Sequence, residues 1–159
     1  MDENGYWLEV SKFDPRVVGL YQKHYSSRKG VASSVWRMQG IQGPGESMVL
    51  LVVDCRALFA WRKGIYDTIP PQTGICCSVF RNTGDILSSE LIKEADKLAW
   101  QKWLELRHFT FVNSDKVKSS HPGYCFIMAG WDYQRDEKGK PVLTKGGLYI
   151  LEQFQEDRC

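Results

Sequence analysis

The sequence predicts an α/β (α+β) chain: a mixed, mostly antiparallel sheet flanked by helices. Three observations carry this. Leu91, Ile92, Ala95, Leu98, Ala99 and Trp103 recur at helical spacing within SSELIKEADKLAWQKW, with Lys93, Glu94, Lys97 and Gln101 on the other side. Short apolar runs, ICCSVF before this helix and RHFTFV after it, read as strands and make a strand–helix–strand unit. The remaining apolar runs lie in pairs joined by turns, which is the antiparallel pattern.

In chain order, DPRVVGLYQKHY (14–25) reads as a helix, with Asp14 as cap and Pro15 at the first helical position. Residues 31–47 hold a candidate strand, VASSVWRM, and a glycine-rich turn. SMVLLVVDC and RALFAWRK read as a hairpin turning near Asp54–Arg56, where Asp54 suits a turn. GIYDTIPPQTG is a proline-containing loop. After ICCSVF comes the helix opening at Ser88, with Ser88 as cap and Glu90 near the positive end of the dipole. A parallel strand pair around it is expected. PGYCFIMA reads as a short helix closed by Gly130, and WDYQRDEKGKPVLTKGGLYILEQF as a final hairpin with a charged turn.

Composition narrows function. The chain has 159 residues, 43% hydrophobic and 13% aromatic, enough for one core and one domain, 1–159. Net charge is +2, from 21 basic and 19 acidic residues, too balanced to require a nucleic-acid or membrane partner. The five cysteines, Cys55, Cys76, Cys77, Cys125 and Cys159, include no CxxC pair, so no metal site is expected and reduced thiols fit best. MDENGYWLEV is too acidic and polar for a secretory signal, and no apolar run nears the ~20 residues that span a bilayer. The expected location is the cytoplasm.

RNTGDILSSELI, residues 81–92, joins a strand to the long helix. Helix starts leave amides without intrahelical partners and attract anions. Gly84 permits close approach of a ligand, Arg81 a charge-assisted bond, and Ser88 and Ser89 hydroxyl contacts. An ordinary loop, with Ser88 capping and Arg81 in solvent, reads equally well from this stretch alone.

The joint resembles the acyl-CoA pyrophosphate loop of the GNAT superfamily of N-acetyltransferase-like enzymes, Gln/Arg-x-x-Gly-x-Gly/Ala. Arg81, Gly84 and Ile86 take the marked places, and the first two match. FTFVNSDK followed by GYCFIMAGW is similar to that family's next strand and short helix, with Gly130–Trp131 in its Gly-Phe place. The resemblance covers residues 75–135. It implies acetyl-CoA or another acyl-CoA as cofactor, held by Arg81, Gly84, Ser88, Ser89 and the strand at Val79 and Phe80. Backbone amides of Ser78–Phe80 would supply oxyanion donors. Phe126 stands where many members carry a general-acid tyrosine, which leaves Tyr124 as the nearby phenol.

LYQKHYSSR, with its helix ending in His24–Tyr25, is similar to the Mom-type DNA-modification proteins of phages, which alter the amino group of adenine. VFRN (79–82) and HPGYCF (121–126) are similar to runs in small phage and prophage proteins. These resemblances imply acyl transfer to a nucleobase amine in phage DNA. A small-molecule or protein amine is the alternative acceptor, and a GNAT-shaped binding module without catalysis is the alternative role.

Each candidate has a second reading. His24 suits a general base, and equally a cation at a helix C-terminus. Tyr25 suits stacking on a base, or a core rim. His121 borders the cleft or is a plain loop residue. Arg28, Lys29, Trp36, Arg37, Trp61, Arg62 and Lys63 would make a DNA surface for a flipped base, or else two core indoles among solvated charges.

Overall fold

The computed structural model describes residues 5–22, 45–66, 68–113 and 123–155. His24, Tyr25, Arg28, Lys29, Trp36, Arg37 and His121, and the candidate strand VASSVWRM, lie outside them. The elements are β1 (Trp7–Val10), α1 (Pro15–Gln22), β2 (Ser47–Val52), β3 (Ala57–Tyr66), β4 (Gln72–Asn82), α2 (Ser88–Lys102), β5 (Arg107–Val112), α3 (Tyr124–Met128), β6 (Asp132–Tyr133) and β7 (Tyr149–Phe154).

The strands form a seven-stranded sheet in the order β1-β2-β3-β4-β5-β7-β6. Every neighbouring pair is antiparallel except β4 with β5, the two strands flanking α2. This is the mixed architecture the sequence predicts. The sheet is buried on both sides where it is widest. Leu50, Val52, Phe59, Trp61, Ile75 and Cys77 share one core with the α2 stripe Leu91, Ile92, Ala95 and Ala99. Val49, Leu51, Leu58, Ala60 and Val79 point the other way, under Val17 and Tyr21 of α1. That two-sided burial explains why β2 reads as a continuous apolar run rather than an alternation.

Aromatic rings run through the first core. Phe59 sits 4.5 Å from Trp61 and 5.4 Å from Phe80, and Phe80 lies 5.9 Å from Phe126. Such pairs add ~0.5–1.5 kcal/mol each beyond their burial. Trp61 is therefore no part of a nucleic-acid surface: it is fully buried, and its indole N–H donates to the Ala95 carbonyl at 3.2 Å.

Local chemistry accounts for the helix starts. Asp14 accepts the Arg16 amide at 2.9 Å and Pro15 opens α1 as expected. Ser88 does not cap α2. Leu87 takes that position without a side-chain bond, and Ser88 is the first helical residue. β1 is an element the sequence reading missed. It pairs with β2, and Trp7 anchors it by donating its indole N–H to the Leu91 carbonyl at 2.8 Å. The final hairpin is present, but two turns interrupt its arms before β7.

Candidate active site

β4 and β5 pair over only three positions, Ile75, Cys76 and Cys77 with His108, Phe109 and Thr110. Above Cys77 they part, and β4 runs on to Asn82 along β3. Two features make the vertex. Ser78 is an extra residue on β4, because Ala60 pairs with Val79 and Trp61 with Cys77. Such a bulge bends its strand. The Thr110 hydroxyl, buried, donates to the Cys77 carbonyl at 2.8 Å and ties the last rung.

Helix α3 lies against both walls of this gap. Its Phe126 touches Phe80 of β4 and stands 4.8 Å from Trp131. Gly123, at φ 76°, brings the start of α3 onto β5 and β7. A Cβ there would lie 2.8 Å from the Leu151 side chain and 3.4 Å from that of Val112. Phe126 is thus a core residue, and Tyr124, 53% exposed, is the phenol that α3 presents outward.

The joint between β4 and α2 is organised by Asn82. Its amide nitrogen donates to the Ile86 carbonyl at 2.7 Å and the Ser88 hydroxyl at 3.0 Å, while its amide oxygen accepts the Gly84 N–H at 3.0 Å. Thr83 is fastened to the Arg56 carbonyl through both its amide and its hydroxyl, each at 2.7 Å. Gly84 serves close approach: a Cβ would sit 3.1 Å from that of Arg56. The Ser88 hydroxyl is engaged by Asn82, and Ser89 is buried. What the joint offers an anion is chiefly backbone N–H groups at an uncapped helix start. Arg81 stands beside it, half-buried and in register with Leu58. The Val79 side chain turns away under α1, whereas Phe80 faces α3.

The thiols nearest the gap are quiet. Burial pushes Cys77 well above the ordinary thiol range, pushes Cys125 up, and pushes Cys76 to about 12. None is a thiolate at neutral pH.

The described members of the expected DNA surface are committed elsewhere. Lys63 bridges Glu105 at 3.1 Å and Glu46 at 3.5 Å, and the Arg62 guanidinium stacks over Tyr66 at 5.4 Å. Among the described residues, no group of three or more His, Cys, Asp or Glu side chains is placed to hold a metal ion. No described helix is long and apolar enough to cross a membrane.

Sequence reasoning missed one buried polar cluster. The Asp96 carboxylate faces His108 Nδ1 at 2.7 Å and accepts the Trp131 indole N–H at 2.9 Å. The signal was present: Asp96 falls on the apolar stripe of α2, between Ile92 and Ala99, where an acid needs partners.

No family model matches this chain, and no curated protein matches it in sequence. Solved structures do. One is an aminoglycoside acetyltransferase, AAC(6')-Ib, in complex with coenzyme A and kanamycin: TM-score 0.60, 9% identity, 94% of each chain covered. The chain has the GNAT acetyltransferase fold. A second structure of that enzyme, with coenzyme A alone, matches at TM-score 0.55, again with 9% identity over 94% of both chains. The parted strands and the β4–α2 joint are the features of this fold on which the candidate site is built.

Proposed function

We propose that this protein is a GNAT-fold acyltransferase that uses acetyl-CoA or another acyl-CoA to acylate an amine of a small molecule. The observation that carries this reading is the parting of β4 and β5 beside an uncapped helix start. A phosphate group would suit the joint, because α2 starts there without a capping side chain and its first amides favour an anion. The gap, whose walls end in a bulge and a pinned vertex, is our candidate channel for the acyl arm. The bound cofactor would supply an activated thioester.

The residues then divide the work. Asn82 and Thr83 hold the joint in shape, and Arg81 adds positive charge beside it. We assign backbone amides of Ser78–Phe80 the role of polarising a carbonyl that enters the gap. Tyr124 is our candidate for returning a proton to the leaving thiol, since Phe126 is core. The raised Cys77 and Cys125 thiols disfavour a cysteine acyl-enzyme, so the acyl group passes directly to the amine. His24 remains our candidate base and Tyr25 its neighbour. Structures of similar fold solved with coenzyme A and with an aminoglycoside support this choice of cofactor and acceptor class.

The second reading is a Mom-type acylation of a nucleobase amine in phage DNA within the cytoplasm of a host. It rests on the sequence likeness around His24–Tyr25 and on Arg28, Lys29, Trp36 and Arg37. Lys63, held between two carboxylates, does not favour it.

Calorimetric titration with coenzyme A tests the function. We expect saturable binding, weakened at least tenfold in Asn82→Asp, where a carboxylate replaces a donor beside the phosphate. No binding by the folded wild type would overturn the reading. Mass spectrometry of nucleosides from DNA of expressing cells separates the acceptors: a new base that disappears with His24→Ala would establish the DNA reading.

A further inference from the structure

The buried Asp96–His108–Trp131 cluster plays no part in the chemistry above, yet it lies beneath the gap. Asp96 is on α2, His108 on β5, and Trp131 follows α3. Its carboxylate is therefore a three-way junction among the elements that surround the parted strands. The imidazole is fully buried, stacked on Trp100 at 4.6 Å and tilted against Trp61 at 4.5 Å. Its Nε2 has no hydrogen-bond partner. A carboxylate only accepts, so an ionised Asp96 fixes the imidazole with its proton on Nδ1.

β5 is pinned at each residue facing α2. His108 bonds to α2, Thr110 to the last rung of β4, and Val112 lies under Gly123 at the start of α3. The other end of α2 carries the anion-accepting joint. A rotation of α2 against β5 would shift the joint relative to the gap. Polar groups buried in an aromatic core are costly, and apolar replacements often pack as well, so the presence of this junction calls for a role.

We propose that Asp96 and His108 are positioning residues: through the Nδ1–H tautomer of His108 and the Trp131 indole, their junction sets the opening between β4 and β5 and hence the site for the acyl arm. The link to the acyl arm rests on the acyltransferase reading. The control of the opening does not.

The test compares wild type with Asp96→Ala, Asp96→Asn and Trp131→Phe. Asn at 96 can keep both contacts: its oxygen accepts from Trp131 while its amide donates to His108 Nδ1, moving the imidazole proton to Nε2. Nitrogen NMR of His108 should show Nδ1 protonated in the wild type and unprotonated in Asp96→Asn. An unprotonated Nδ1 in the wild type would overturn the tautomer assignment. Amide exchange reads the opening without any ligand. We expect Ser78–Phe80 and Val112 to exchange at least tenfold faster in Asp96→Ala, with β1–β2 unchanged, and Asp96→Asn to restore the wild-type rates. Trp131→Phe, which loses one contact of two, should fall between. Uniformly faster exchange, or no change at the gap, would reduce the junction to a core contact. Coenzyme A affinity should follow the same order. A wild type that binds no coenzyme A, with the exchange pattern as expected, removes the acyltransferase reading and leaves the junction standing.

Discussion

Thr110→Val isolates the vertex of the gap. Valine has the shape of threonine, so the change removes one buried hydroxyl and little volume. The Thr110 hydroxyl is the donor to the Cys77 carbonyl at 2.8 Å, and both residues are buried. Leaving a buried carbonyl unmatched costs ~1–3 kcal/mol. The added methyl returns part of that by apolar burial, so we expect a net loss of ~1–2 kcal/mol. For a domain of this size that is a fall in melting temperature of ~2–8 °C. Urea unfolding with intrinsic tryptophan fluorescence measures it directly. Thr110→Ser keeps the donor and should recover stability relative to Val once its lost methyl is allowed for. If Val is within ~0.5 kcal/mol of the wild type, the ordinary range for a substitution with no structural role, the hydroxyl does not hold the last rung and the pinned vertex is wrong.

Four further outcomes are expected. Gly123→Ala should destabilise by ~2 kcal/mol or more, since it combines left-handed backbone with a contact 2.8 Å from Leu151, and chemical denaturation would show it. Asn82→Ala should cost ~1–2 kcal/mol, for three bonds lost at a half-buried loop, and weaken coenzyme A in the same titration. Tyr124→Phe should lower turnover and leave coenzyme A affinity unchanged; equal losses in both would make Tyr124 a contact rather than an acid. The fourth concerns pH. Burial outweighs the His108 and Trp131 bonds and holds the Asp96 carboxyl above its ordinary value of 3.8. Its contribution to stability is complete below that value and is lost as pH rises through the folded one. Asp96→Asn is indifferent to this titration, so its stability relative to wild type should climb from pH 3.5 upward, read as urea midpoints. The neighbouring Cys77 stays neutral throughout.

Much of this fold could be read in the sequence because its patterns are local. The stripe from Leu91 to Trp103 buries as its spacing says, and Asp14–Pro15 starts α1 by the chemistry of its own residues. β1 was missed because four residues carry no period; Trp7 holds it by a contact with Leu91, eighty-four positions away. Ser88 was misread for a related reason. A serine at a helix start suggests a cap, but Asn82 claims its hydroxyl from across the loop. The site divides in the same way. The strand–loop–helix joint was visible as a run of residues, whereas the gap exists only where β4 meets β5, thirty-three positions apart at Cys77 and Thr110. The Asp96 cluster combines three elements, and only the misplaced acid hinted at it.

The brevity of the β4–β5 ladder also bears on how the chain is born. Once residue 82 is made, β1 to β4 can already pair with one another in the order β1-β2-β3-β4, so that half of the sheet needs no later strand. β5 is different. Its long antiparallel partner, β7, begins at Tyr149, and at roughly 5–20 residues per second a ribosome takes seconds to reach it. Until then RHFTFV, rich in aromatic and β-branched residues, is an open edge held to its neighbour by three rungs. Arg107 stands at its first position and later grips Glu152 of β7 at 3.2 Å. During synthesis, that same charge guards the edge against pairing with another nascent chain.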